Sequence, residues 1–492
     1  MAPTGVRPQA PEPDRTADGD ALVRAACFEC LREALEIYRA AGPRRSTDVF
    51  RAAILLEMRR REIGVLAEDF LEQARAVAPA VTGGPDTALW IEIADDVPWN
   101  VAALTNQERD RRDAWPRPTP EDRARRSAAL EPMLDDPVVA YLYAAVNCDL
   151  PRGPREARTD WLERLEGLMD RHPGSPLVAY KVGTCTGSNP VILADLLDLE
   201  PRFVEAYYFL GQRELFQRTY EAAEQQLRAA YGTLSPWPAT AVLLGDVLLG
   251  LEDYEAAREL YTEALALVPE QREALLGEGR ALSYLERHTA AIRPFDALLA
   301  LGTWYVGEAY YWRAWNRFRL NELDVAWTDI EAAKKSLVSV DAFRLAGLIA
   351  FFRRDFGNAT TNLSDAIELN PMECEALFYL GGVRAEKRSW AASGPTYRDA
   401  VACFESQSAA TQAQIADLEQ DPSLDARAMR LLLRRQRDLV SIRRFEANAA
   451  YNAAVSYFND GRRDDAAAFA ERAARHETFR ERAQALIARL QR

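Results

Sequence analysis

The sequence predicts an all-α solenoid of antiparallel helix pairs, and three observations carry that prediction. Small residues recur in phase: Gly211, Gly245, Gly279, Ala314, Gly347 and Gly381 stand 34, 34, 35, 33 and 34 residues apart. Two further series keep the same step: Ala223, Ala257, Ala291, Ala326, Ala359 and Ser393, then Ala230, Ala264, Leu298, Ala333, Ala366 and Ala400. Each period holds two apolar stretches of helical spacing, separated by a short polar turn such as LEDYEAA or RRDFGNA. A fixed period of this length marks a repeat array, whose units must stack because no single helix pair buries its own apolar face.

The small residues have a physical reason. Two helices approach closely only where their crossing carries Gly or Ala, and larger residues pack around that point. Tyr207, Leu210, Tyr220 and Leu227 surround it in one unit, and Leu244, Leu248, Tyr254 and Tyr261 in the next. Pro269 and Pro371 fall just after a second helix. Asn370-Pro371, Ser235-Pro236, Asn189-Pro190, Ser175-Pro176 and Asp421-Pro422 each read as a capping residue before a proline at the first helical position.

These residues resemble the tetratricopeptide repeat (TPR) family, whose pattern contains a Leu-Gly pair, a Tyr, small residues and a closing Pro. Leu210-Gly211, Leu244-Gly245 and Leu380-Gly381 reproduce the pair, and residues 238–271 match best through Tyr254, Ala257, Ala264 and Pro269. The resemblance covers about 204–405 as six repeats and implies a right-handed superhelical solenoid that binds a protein or peptide on its concave, first-helix face.

Elsewhere the rhythm loosens. Residues 1–20 read as a disordered lead, and 21–79 as N-terminal helices with one degenerate repeat, the first running unbroken to Gly42-Pro43. Residues 80–118 hold Trp90, Trp99 and Trp115 and read as an irregular segment packed down by its tryptophans, with a functional loop as the lesser reading. Thr119 to Asp122 caps a following helix, and 119–203 reads as short degenerate pairs. Residues 406–446 form a long helical hairpin, and 447–492 a terminal repeat and capping helix. The basic run Arg434–Arg444 reads as a solvated helix face, with a docking surface as the lesser reading.

Composition narrows the function. With 61 basic and 75 acidic residues the chain carries a net charge of −14, which disfavours nucleic acid and anionic lipid as general partners. No apolar run reaches membrane-spanning length and the N-terminus has no signal-like apolar core, so a cytoplasmic protein is the default. The alternative is a periplasmic or envelope-tethered subunit whose signal has been removed. Cys27 and Cys30 form a C-x-x-C read within a helical stretch, as packing thiols with a disulfide as the competing reading. The other cysteines, Cys148, Cys185, Cys374 and Cys403, show no framework. A zinc site needs four ligands, and His172, His288 and His476 lie far from one another and from that pair. Gly183 to Gly187 lacks the Lys-Ser/Thr ending of a phosphate loop and reads as a turn before Asn189. No cofactor, metal or enzymatic activity is therefore expected.

The candidate binding residues are first-helix side chains offset from the packing glycines: Tyr208, Phe216, Arg280, Tyr284, Tyr311, Trp315, Phe318, Arg319, Arg344, Phe351, Phe352 and Phe378. Aromatics and arginines are the usual anchors of interfaces. The competing reading places some of them in the seams between repeats. None is Lys or Asn, so the resemblance does not extend to the carboxylate clamp of chaperone-binding members. Glu205, Glu273, Glu308, Asp341 and Glu375 read as acids placed at helix N-termini.

Overall fold

The computed structural model describes residues 15–82, 86–100, 118–148, 155–302, 304–420 and 425–491. Among these residues there are α-helices, short 3-10 turns and no strand. The chain divides into two compact units, one up to Gly277 and the other from Glu278.

The first unit opens with α1 (Thr16–Ala25) and α2 (Phe28–Ala40), where the sequence suggests one continuous helix. The break comes at Ala26, which adopts a left-handed conformation with φ 57°, so that Cys27 becomes the N-cap of α2. Next comes α3 (Ser46–Ile63), the buried axis of this unit. Its Phe50, Ile54, Leu55, Leu56 and Met58 are fully buried, and so are Glu57 and Arg59. Helices α4 (Phe70–Val77) and α5 (Thr87–Asp95) follow. The second of these lies inside the segment that reads as irregular in sequence. Trp90 is buried on α5, and Trp99 lies 4.6 and 5.1 Å from the Arg60 and Arg61 guanidinium groups, while Trp115 is outside the described residues.

Short helices α6 (Pro120–Leu130), α7 (Pro137–Val146), α8 (Arg155–Arg171), α9 (Pro176–Cys185) and α10 (Pro190–Leu199) come next. Helix α6 starts with a full capping box, in which Thr119 and Asp122 exchange side-chain-to-backbone hydrogen bonds. Two regular pairs follow: α11 (Val204–Gln217) with α12 (Tyr220–Ala230), and α13 (Pro238–Gly250) with α14 (Tyr254–Leu267). Helix α15 (Arg272–Tyr284) crosses the division between the units.

The second unit continues with α16 (His288–Leu301), then the pairs α17 (Val306–Arg319) with α18 (Leu323–Ala333) and α19 (Val340–Phe352) with α20 (Phe356–Leu369). Helix α21 (Cys374–Glu386) pairs with α22 (Trp390–Glu419), which runs on past the repeat and turns back as α23 (Ala426–Asn459). The distal half of that hairpin carries the basic run. Its proximal half packs with α24 (Arg463–Ala473) through Ala454 and Ala466, both fully buried, and α25 (Glu477–Leu490) closes the stack with Phe479, Ala483 and Leu486.

The phased glycines meet one partner class throughout. A Cβ added at Gly211 would stand 2.5 Å from Leu227, at Gly279 2.5 Å from Phe295, at Gly347 2.6 Å from Leu363, and at Gly381 2.9 Å from Tyr397. The partner is always sixteen residues later (227 − 211, 295 − 279, 363 − 347, 397 − 381), on the second helix of the same pair. A helix carrying any side chain at that point could not reach the same separation.

Three of the proline caps behave differently from the sequence reading; one is Ser175, which stands at the N-cap before Pro176 without a side-chain cap hydrogen bond. Asn189 accepts backbone N–H groups at the start of α10, as its motif requires. Asn370 instead ends α20, and α21 starts four residues later at Cys374. Likewise Ser235-Pro236 is a cis bond ahead of α13, whose first residue is Pro238. Asp421-Pro422 lies outside the described residues.

Candidate functional site

The side chains named from sequence separate into three groups. Tyr208 and Phe378 are buried, which removes them from any exposed groove. The Tyr208 hydroxyl accepts a 2.7 Å hydrogen bond from Asn100, and Phe378 packs on Tyr397 and Phe445 within the core of the second unit. Both point inward because their helical phase brings them against the next element, which the offset from the packing glycine alone does not reveal. Phe216, at the end of α11 in the first unit, is 90% exposed.

The remaining aromatic residues form two ring clusters in the second unit, on the first helices of successive pairs. Tyr284 stands edge-on to Trp312 at 5.2 Å, and Trp312 to Tyr311 at 5.3 Å. Trp315 contacts Phe318 at 6.4 Å, Phe318 contacts Phe352 at 5.6 Å, and Phe352 contacts both Phe351 and Tyr379. The rings thus run from α17 across α19 to α21. Edge-to-face stacking accounts for part of their role as seam packing between repeats. Tyr284 and Phe352 nevertheless stay 43% and 47% exposed.

Arginines flank the rings. Arg280 lies 5.8 Å from the Trp312 ring centre, Arg319 5.7 Å and Arg344 6.0 Å from that of Trp315. Arg344 is not a free anion-binding group. Its guanidinium pairs with Asp341 at 3.0 Å, Glu373 at 3.4 Å and Glu375 at 2.6 Å. Burial opposes its charge, but these carboxylates and Tyr311 outweigh that and raise its pKa further. Burial in turn raises the pKa of the Tyr311 hydroxyl well above its ordinary value. Arg319 is more open, with Glu286 at 3.8 Å. Asp341 and Glu375 therefore hold an arginine in place, beyond any favourable position at a helix start.

Trp312 and Tyr379 belong to these clusters although the sequence reading passed over them. Each sits next to a named aromatic, Tyr311 or Phe378, and a one-residue step along a helix turns the side chain by about 100°.

Glu205 in the first unit likewise sits in the first turn of its helix and has a further role. Glu205 is fully buried and pairs with Arg59, whose guanidinium lies 3.6 Å from the Tyr180 ring centre and 4.5 Å from that of Phe203. Glu205 also accepts the Phe28 backbone N–H at 2.8 Å, and Arg59 donates to the Ala26 carbonyl at 3.2 Å. Burial pushes the Glu205 carboxyl above the usual range, against the pull of Arg59. One residue beyond Arg61, Glu62 receives hydrogen bonds from Tyr180 and pairs with Lys181.

The three histidines serve local structure. His172 Nε2 meets the Leu134 carbonyl at 2.6 Å, His288 Nδ1 meets the Asn316 side chain at 2.9 Å, and His476 Nδ1 accepts from Thr478 at the start of α25. Among the described residues no group of three or more His, Cys, Asp or Glu is placed to hold a metal ion. Among them, too, no helix is long and apolar enough to cross a membrane.

The cysteines depart most from the sequence reading. Cys27 and Cys30 do not sit as packing thiols in mid-helix but are bonded across the first turn of α2. Cys148 is bonded to Cys185 and Cys374 to Cys403.

Stacked helix pairs with an aromatic first-helix face define an all-α helical-repeat protein. A profile of the tetratricopeptide repeat matches residues 242–303 and 344–410, so these two stretches carry tetratricopeptide repeats. Solved structures similar to it include MamA from Desulfovibrio magneticus RS-1, at 19% identity over 35% of this chain and 96% of that one, TM-score 0.31. PilF from Pseudomonas aeruginosa is 18% identical over 47% of this chain and 98% of its own, TM-score 0.35. The Cut9–Hcn1 complex gives 11% identity over 96% and 92%, TM-score 0.42. Such scores carry no argument about what this chain binds. No curated protein sequence matches it.

Proposed function

We propose that this protein is a non-enzymatic scaffold or adaptor that holds an extended or helical segment of a partner protein on the aromatic face of α17, α19 and α21. The supporting observation is that Tyr284 and Phe352 remain half-exposed in two ring clusters on successive first helices, the second of them flanked by Arg319. Rigid aromatic area beside a guanidinium gives contact surface at little entropic cost. The triple pairing of Arg344 argues for a partner anchored by apolar side chains more than by a carboxylate.

The test compares partners captured by the native chain with those captured by a Tyr284→Ala, Arg319→Glu, Phe352→Ala variant. Loss of a partner by about tenfold or more is expected if these residues are interface anchors. Undiminished capture by a variant with unchanged melting excludes this surface. A second reading, a structural subunit on the envelope side of a cell that serves assembly or secretion, draws support from the pairing of all six cysteines.

A further inference from the structure

We propose that the six cysteines are three disulfides in the working protein, formed in sequence-specific pairs, and that the protein acts in an oxidising compartment outside the cytosol. The pairs Cys27–Cys30, Cys148–Cys185 and Cys374–Cys403 have Cα separations of 4.9, 4.9 and 5.4 Å, and no cysteine is left over. Six cysteines scattered through 492 residues have no reason to meet two by two if their only role is to fill core space. Two of the pairs join residues 37 and 29 apart, so helical periodicity cannot bring them together either. Disulfides persist in secreted and periplasmic proteins and are reduced in ordinary cytosol.

Each pair sits where the chain needs holding. Cys27–Cys30 spans the first turn of α2, directly after the left-handed break at Ala26, and so fixes the backbone whose Phe28 N–H reaches the buried Glu205. Cys148 lies just beyond α7 and Cys185 ends α9, so their bond closes the loop that contains α8. Cys374 is the first residue of α21 and Cys403 lies midway along α22, beside Phe404. That bond ties the repeat to the long helix at the level where it leaves for the hairpin.

Two other chemistries for these thiols fit less well. A metal needs further ligands around each pair, and the described residues offer no such cluster. A redox centre needs an accessible sulfur for thiolate attack, whereas Cys27 and Cys30 are both almost fully buried despite their place at a helix N-terminus. They are staples.

Each bond forms by exchange with an oxidised dithiol carrier of the compartment. Two protein thiols give up two protons and two electrons, the protein disulfide forms, and the carrier's disulfide is reduced to its dithiol. Three such exchanges complete the chain.

The test traps thiols with N-ethylmaleimide in acid-quenched cells of the organism that makes the full chain, followed by denaturation, intact mass measurement and tryptic mapping. No alkylated cysteine is expected, with an intact mass about 6 Da below that of the reduced chain. Tryptic peptides should be linked Cys148 to Cys185 and Cys374 to Cys403, and the protein should fractionate outside the cytosol. Alkylated thiols at any of the three pairs, different linkages, or a cytosolic protein would overturn the proposal. Thiols that are free in quenched cells and paired only after lysis count against it as well.

Discussion

Helices α3 and α19 both bury apolar residues and both hold paired arginines, yet their closest approaches are specified differently. Helix α19 presents Leu345, Gly347, Leu348 and Ile349, and its neighbour α20 comes close because Gly347 leaves room for Leu363. Helix α3 presents Glu57, Arg59, Arg60 and Arg61 to its surroundings, and each reaches a specific partner. Arg60 donates to the Ala67 carbonyl at 2.8 Å, Arg61 to the Asp95 carbonyl at 2.7 Å, and Arg59 pairs with Glu205. In a regular repeat, shape complementarity recurs every period and needs no further specification. In the irregular first unit each neighbour of α3 is different, and directional hydrogen bonds single out one arrangement. A buried pair of this kind adds little stability over apolar residues but is costly to break on one side.

That contrast fails most visibly if Glu205→Ala is tolerated. The substitution leaves Arg59 charged and unpaired in the core and the Phe28 N–H without its acceptor, so a loss of about 3–5 kcal/mol is expected. Urea unfolding measures it. A double change, Arg59→Met with Glu205→Leu, should recover most of the loss; equal losses in single and double variants would show that the ion pair is not the cause.

At its phased glycines the second unit should respond to volume. Gly347→Leu drives a side chain into Leu363, at an expected cost of about 1–3 kcal/mol. Combining it with Leu363→Ala should return part of that loss. Gly357→Ala on α20, where the nearest atom to an added Cβ is an Asp355 oxygen at 3.5 Å, should be close to neutral. Similar effects at positions 347 and 357 would refute the close-approach role of the phased glycines.

The smallest effect concerns acid. Hydrogen bonds from Arg125 and Arg126 hold the Glu92 carboxyl below its ordinary pKa, although burial acts the other way. A lowered folded pKa means stability that is present above the unfolded value, about 4.3 for a glutamate, and lost as pH falls through the folded one. Glu92→Gln should therefore flatten the acid limb of a pH–stability profile. At neutral pH the change should be within about 1 kcal/mol, because the pair is partly exposed. An unaltered acid limb would assign the acid response of the first unit to other groups.

The repeats were legible because their information is local and reiterated. A glycine at 211 and another at 245 announce the same crossing, and the phase of either places the other. The candidate surface was legible in part. Tyr284, Trp315, Phe318, Arg319 and Phe352 can be placed from their offset to the glycine, whereas Tyr208 and Phe378 were lost to the core and Trp312 and Tyr379 were missed. The offset gives a position along the helix and leaves open what lies opposite.

By itself the sequence determined the helix pairs, their period and the packing points that let them stack, since periodic apolar and small residues encode short-range geometry. Only the tertiary structure decided which long-range partners meet. Arg59 and Glu205 are 146 residues apart, and Cys148 and Cys185 are 37 apart. No periodicity links such residues, because each pairing depends on the accumulated turns of every helix between them.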